Sequence, residues 1–292
     1  MASAEKHHYV PRFYLNGWTT PDESQALRLT RFQWKGDRFL TERVVPRSTA
    51  CLDRLYSLEG VPVQEQQRIE TDFLAKIIDD PAGGVLHHMR TAGRGHDLKQ
   101  EQRVAWTRFI MSLRIRSPEI MAQLNSEAPA ELRKNLESDP GEYDKLKEEG
   151  DAESLLEFVE ASAPGFIEDF GKRLLPGLIM DDKAFKRIHQ MSWWSGDFSD
   201  SKVSLLTSDH PVIIMPGIDH PGCVLALPIS STLVFFACPD ERVVQFLLHW
   251  DKTLLVEWLN ATVVRLASEQ VYAIDDSQAE FVRYLLKRPA VD

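Results

Sequence analysis

The hydrophobic pattern of the chain alternates in blocks between the strand period and the helix period, and that order limits what it can fold into. Leu27-Arg28-Leu29-Thr30-Arg31-Phe32 alternates apolar and polar side chains, and the stretch from Phe39 to Val45 does so again. Alternation with period two marks a half-buried strand, and Lys35-Gly36-Asp37 between the two runs marks a turn, so a β-hairpin is predicted. Leu55-Tyr56-Ser57-Leu58 is a candidate short third strand. From about 64 to 190 the pattern is helical. Asp80-Pro81 suits a helix start and Gly93 its end. The clearest helical segment runs from Lys99 to Gln123, where Pro118 should divide it. Val203–Leu206, Val212–Met215, Val224–Leu227 and Leu233–Ala237 are short apolar runs between turn residues, the pattern of a buried sheet. Helices return from Asp240 to Ala267, a strand follows at Gln270–Ile274, and a last helix spans Ser277–Lys287. Blocks ordered β, α, β, α predict an α+β fold rather than a regular βαβ array. One globular body over residues 1–292 is expected, since no internal repeat or low-complexity linker interrupts it.

Composition narrows the function classes. With 43% hydrophobic and 27% charged residues, a folded core is expected rather than wholesale disorder. A net charge of -10 argues against a general electrostatic grip on nucleic-acid phosphate. The first 60 residues are the exception, with nine Lys/Arg against seven Asp/Glu, and Phe32, Trp34 and Phe39 among them could stack on bases. Residues 126–160 are the opposite, with twelve Asp/Glu against four Lys/Arg, and predict a solvated helical hairpin or insert that could meet a protein partner. Cys51, Cys223 and Cys238 are an odd number with no C-x-x-C pair, which fits free thiols and a cytoplasmic setting. No apolar run reaches the length of a membrane span, and residues 1–6 lack the apolar core of a secretory signal.

Four clusters could carry chemistry. His7 and His8, in Lys6-His7-His8-Tyr9-Val10-Pro11-Arg12-Phe13-Tyr14-Leu15, could ligate a metal or move protons. In an extended chain they face opposite ways, and adjacency alone is no metal-ligand spacing. Ser208, Asp209 and His210 lie between a strand and Pro211, where polar groups project into a cleft or cap a turn. Arg116 falls on the same helical side as Phe109 and Leu113, so a buried partner is needed, either a substrate phosphate or a structural carboxylate such as Asp209. Asn260 shares a face with Val263, Val264 and Ala267 and should hydrogen-bond a loop or a ligand. Dinucleotide, P-loop, zincin and nucleophile-elbow motifs are all missing from the sequence.

The opening His7-His8-Tyr9-Val10-Pro11 followed by Phe13-Tyr14-Leu15 resembles the start of a bacterial family called domain of unknown function 4238. Arg116-Ser117-Pro118 is similar to that family's arginine-threonine-proline step, with serine for threonine. Ser208-Asp209-His210-Pro211 is similar to its Ser-Asp-Asn-Pro turn, with histidine for asparagine. Pro228-Ile229-Ser230, and Leu259-Asn260 with Ala267, resemble its later elements. The resemblance covers about residues 6–275. It implies that His8, Arg116, Ser208, Asp209 and Asn260 form one shared site, and it brings no activity or cofactor. The amide at the family's usual position counts against a proton-carrying role for His210.

Two readings follow. In one the protein is a metal-assisted hydrolase or nuclease: His7, His8 and Asp209 hold a metal, His8 and Asp209 act with Arg116 on a phosphate-bearing ligand or nucleic acid, and Ser208 and Asn260 bind substrate. In the other it is a non-enzymatic binding or regulatory protein, and these residues are a structural lock.

Overall fold

The computed structural model describes residues 6–92, 97–138 and 140–288. Along the chain run β1 (Lys6–His8), α1 (Arg12–Leu15), β2 (Thr20–Pro21), β3 (Leu27–Lys35), β4 (Arg38–Val44) and β5 (Cys51–Asp53). A π-helix, Ile69–Asp79, leads directly into α2 (Asp80–Ala92). Then come α3 (Gln100–Ile115), α4 (Pro118–Ser138), α5 (Pro140–Leu146), α6 (Leu155–Ser162), α7 (Phe170–Ile179) and α8 (Asp182–His189). The last part holds β6 (Ser192–Asp197), β7 (Thr207–Ser208), β8 (Ile213–Met215), β9 (Val224–Pro228), β10 (Leu233–Cys238), α9 (Glu241–Leu248), α10 (Lys252–Leu266), β11 (Gln270–Ala273) and α11 (Ala279–Leu285). The fold is α+β.

The chain divides into two compact units, each assembled from three segments. Unit 1 takes 1–7, 52–77 and 115–180, and unit 2 takes 8–51, 78–114 and 181–292.

Unit 1 is mostly helical. Its core includes Tyr56, Leu74, Met121, Ile167, Leu175 and Ile179, each nearly or fully buried. Gly171 lets α7 approach α4 closely, since a Cβ there would stand 2.5 Å from the Leu124 carbonyl oxygen. Ser154 begins α6 with a capping box, its Oγ accepting from Glu157 N while the Glu157 carboxylate accepts from Ser154 N. The acidic stretch 126–160 spans the end of α4, all of α5 and most of α6. Arg133 in α4 pairs with Glu160 and Glu168.

Unit 2 holds two antiparallel sheets. One has the order β6-β10-β9-β8, and the other the order β2-β3-β11-β7, with β4 also paired to β3. The β3–β4 hairpin sets Trp34 opposite Phe39 and turns at Gly36, whose φ of +58° suits glycine. Helix α10 serves both sheets. Leu255, Val256, Leu259 and Val263 join the core of the first sheet with Phe236 and Ile213. Val264 joins Phe32, Trp34 and Val271 on the second. A helix buried on two sides needs apolar residues around most of its circumference, and α10 has them.

Several sequence expectations change here. Residues 55–58 form no strand, and Cys51–Asp53 does so instead. An α-helix does begin at Asp80-Pro81, but it continues out of the π-helix rather than out of a capped loop. Pro81 lacks an N–H, and it sits where the hydrogen-bond register changes. Residues 203–206 are irregular, and only Thr207–Ser208 are a strand. Most of the backbone there is satisfied by side chains: Leu206 N donates to Asn260 Oδ1, Leu205 O accepts from Trp18 Nε1, and Ser204 O accepts from Asn260 and Gln278, while Leu205 N donates to Ser231 O. Strand β6, with the polar sequence Ser-Trp-Trp-Ser-Gly-Asp, is the edge of its sheet. The division before Pro118 appears as expected, between α3 and α4. Gly93 lies outside the described residues.

Candidate functional site

In unit 1 the histidine motif begins with β1. His7 is 2% exposed, and its ring stacks on Tyr56 with centroids 5.5 Å apart. Its Nδ1 accepts from Tyr56 N at 3.0 Å. Nε2 therefore carries the proton, and it donates to Gln67 Oε1 at 2.5 Å. Gln67 is itself oriented by donating to Ser57 Oγ at 2.9 Å. The neutral imidazole thus has its only lone pair on a backbone N–H. Arg116 is fully buried, and its carbonyl accepts from Tyr56 Oη at 2.6 Å. Asp169, 1% exposed, accepts from Glu59 N and Gly60 N at 2.5 and 3.1 Å and pairs with Lys172 at 3.0 Å.

In unit 2 the rest of the motif forms a bend at Tyr9-Val10 and then α1. Tyr14 Oη donates to Pro228 O at 2.7 Å and lies 2.8 Å from Thr207 Oγ1. Burial holds its hydroxyl well above the usual phenol range. Arg90 on α2 gives its guanidinium to three carbonyls: Ile229 O at 2.7 Å, Phe13 O at 3.0 Å and Tyr14 O at 2.7 Å. Burial draws it down to about 10. Gly17 makes room, because a Cβ there would stand 2.5 Å from Arg90 Nη2 and 2.8 Å from Ile229 O. Helix α1 and the turn that follows β9 are therefore tied to one guanidinium.

Asp209 follows β7 and is 4% exposed. Its Oδ1 accepts from Ser268 N at 3.0 Å, and its Oδ2 from Glu269 N at 2.7 Å and Gln270 N at 2.9 Å. These amides connect α10 to β11, so one carboxylate shapes that whole loop. Burial pushes the carboxyl up to about 6, against the pull of the three N–H groups. Ser208 Oγ accepts from His210 N at 3.1 Å, the expected turn cap. Asn260 is 1% exposed. Besides accepting from Leu206 N at 2.8 Å, it donates to Ser204 O at 2.8 Å and to Gln278 Oε1 at 2.9 Å.

The motifs that the sequence singles out thus stand in chain order along nearly the whole length, and a single family model spans them, from residue 6 to residue 277. The chain belongs to the DUF4238 family, described as a protein of unknown function. No curated protein matches it, and no solved structure does.

Of the five residues that the resemblance groups into one DUF4238 site, Arg116 falls in unit 1 and His8, Ser208, Asp209 and Asn260 in unit 2, while His7, the further candidate metal ligand, falls in unit 1. His8 is half-buried. Among the described residues no group of three or more His, Cys, Asp or Glu is placed to hold a metal ion. The three cysteines are free thiols. No helix among the described residues is long and apolar enough to cross a membrane. Sequence reasoning missed Arg90, Asp169 and Gln278. Only Gly17, a glycine beside Trp18 within an aromatic run, hints locally at the close approach Arg90 makes.

Proposed function

We propose that this DUF4238 protein is a non-enzymatic binding or regulatory protein whose motif residues are a structural lock. The observation that carries this is how Asp209 and Asn260 are spent. Each is almost fully buried, and each directs its polar atoms at main-chain groups fixed in the fold. A catalytic carboxylate needs an open side toward substrate, and here both oxygens are engaged by main-chain N–H groups in a side chain only 4% exposed. His7 shows the same economy, with both ring nitrogens engaged inside unit 1. The acidic stretch 126–160 is the proposed surface for a protein partner, because its excess negative charge lies on largely exposed helices.

The hydrolase reading has one specific support, the Asp209 carboxyl at about 6, a range suited to general acid–base work. The two readings separate in paired assays. Asp209→Ala and Asn260→Ala should each lower the unfolding midpoint substantially. Purified wild-type protein, incubated with a chromogenic phosphodiester and Mg²⁺ or Mn²⁺, should show no cleavage above background. Cleavage that is lost in a normally stable Asp209→Asn protein would establish the hydrolase reading instead.

A further inference from the structure

Unit 1 contains a cleft of about 560 Å³ that none of the motif residues lines. Its volume is that of a small-molecule site. One wall is the π-helix, which contributes Ile69, Asp72, Phe73 and Ile77. The other comes from Phe166 and from Arg173 and Pro176 of α7, with Arg68 at the start of the π-helix. Helical turns of this wide kind are rare and concentrate at functional sites, and here eleven consecutive residues adopt them.

The polar groups of the cleft are unevenly satisfied. Asp72 meets Lys76 at 2.6 Å, with both side chains about two-thirds exposed. Arg68 meets Glu65 only at 3.5 Å, with both side chains about half exposed, a surface contact of little strength. Arg173 stands over the Phe166 ring at 4.8 Å. Its Nε is shut off from solvent and has no hydrogen-bond partner among the described residues. A buried donor without an acceptor leaves this guanidinium poorly compensated within the protein, and Arg173 lines the cleft, where an acceptor can engage it.

From these features we infer that the cleft binds a small anion with a flat apolar body. The carboxylate or phosphate of such a ligand would accept from Arg173, with Arg68 adding charge, since the guanidinium fork matches both groups. Its ring would lie among Phe73, Phe166 and Pro176. Arg173 is already pre-oriented by its stack on Phe166, so little side-chain entropy is lost on binding. This site uses no residue of the proposed lock, so either idea can fail without the other.

Calorimetric titration of the full-length protein tests it, with 1-naphthoate as the probe and 1-naphthalenemethanol and inorganic phosphate as controls. Saturable 1:1 binding of naphthoate is expected, with the neutral alcohol weaker by about tenfold or more, as loss of a charge-assisted hydrogen bond implies. Stronger binding of inorganic phosphate than of naphthoate would overturn the apolar half of the inference. Arg173→Gln should weaken naphthoate by about tenfold or more, and Arg173→Lys should recover part of that loss. Arg68→Gln, a change at a half-exposed position, should weaken binding by a smaller factor and serves if the Arg173 variants do not fold. Wild-type protein that binds no naphthoate at millimolar concentration overturns the inference. So does equal affinity in folded Arg173→Gln protein or, where that does not fold, in Arg68→Gln.

Discussion

Asp209 shows how one side chain can set the shape of a loop and also give stability a pH dependence. Its folded pKa lies near 6, above the ordinary 3.8, because burial disfavours the charged form. Between those values the folded chain keeps a proton that the unfolded chain has released. Stability contributed by this group is therefore full below about 3.8 and falls as pH rises through about 6. The effect is isolated by comparison with Asp209→Asn, which cannot titrate. In urea denaturation at steps between pH 4.5 and 6.5, wild-type protein should lose stability relative to the variant. Parallel curves would show that Asp209 does not titrate in this window. That Arg116 and Asn260 need partners was legible in the sequence, since each stands on an apolar helical face and a buried polar group must be paired. Their partners were not. A main-chain amide carries no side-chain signature, so nothing in Ser268-Glu269-Gln270 marks it as the cradle of a carboxylate. Arg90 is invisible for the same reason, its three acceptors all being carbonyls.

At the scale of elements, the β3–β4 hairpin and the split between α3 and α4 could be read directly, because alternation, Gly36 and Pro118 act locally. Residues 203–206 could not. They are as apolar as a strand, yet Asn260, Gln278 and Trp18 occupy the backbone groups a ladder would use. Strand β6 escaped notice because an edge strand tolerates the serines and glycine that mask its pattern. The π-helix has the same apolar pattern as an ordinary helical region, so its sequence does not set it apart. The α4–α7 contact offers a test of element packing. In an open helix Gly→Ala gains about 0.5–1 kcal/mol. At Gly171 the new Cβ would meet the Leu124 carbonyl at 2.5 Å, and backbone yields less easily than a side-chain tip. Overpacking of this kind costs about 1–3 kcal/mol, so Gly171→Ala should destabilise the protein in chemical denaturation despite its better helix propensity.

For the whole molecule, the α+β class followed from the order of hydrophobic periods, but the division into two units did not. The chain passes from one unit to the other five times, at 7/8, 51/52, 77/78, 114/115 and 180/181. Two of those passages lie within helical segments, so no loop or change of composition marks them. No single cut separates the units. A fragment spanning 181–292 would lack β3, which pairs with β11, and would lack Tyr14 and Trp18, which bond Pro228 and Leu205. That fragment should remain unfolded, with poor amide dispersion in its NMR spectrum. A well-dispersed spectrum would show that the N-terminal segments are dispensable to the sheets.

The central claim is that the family's motif residues hold the structure, and Asn260 tests it most directly. It is 1% exposed and links residues 204–206 to Gln278 from a helix that serves both sheets of unit 2. The measurement is the free energy of unfolding of Asn260→Ala against wild type in urea. Leaving Leu206 N unsatisfied in the core and removing two further hydrogen bonds should cost about 2–4 kcal/mol. An unfolding free energy within about 0.5 kcal/mol of wild type, the range of an inert surface change, would contradict the lock.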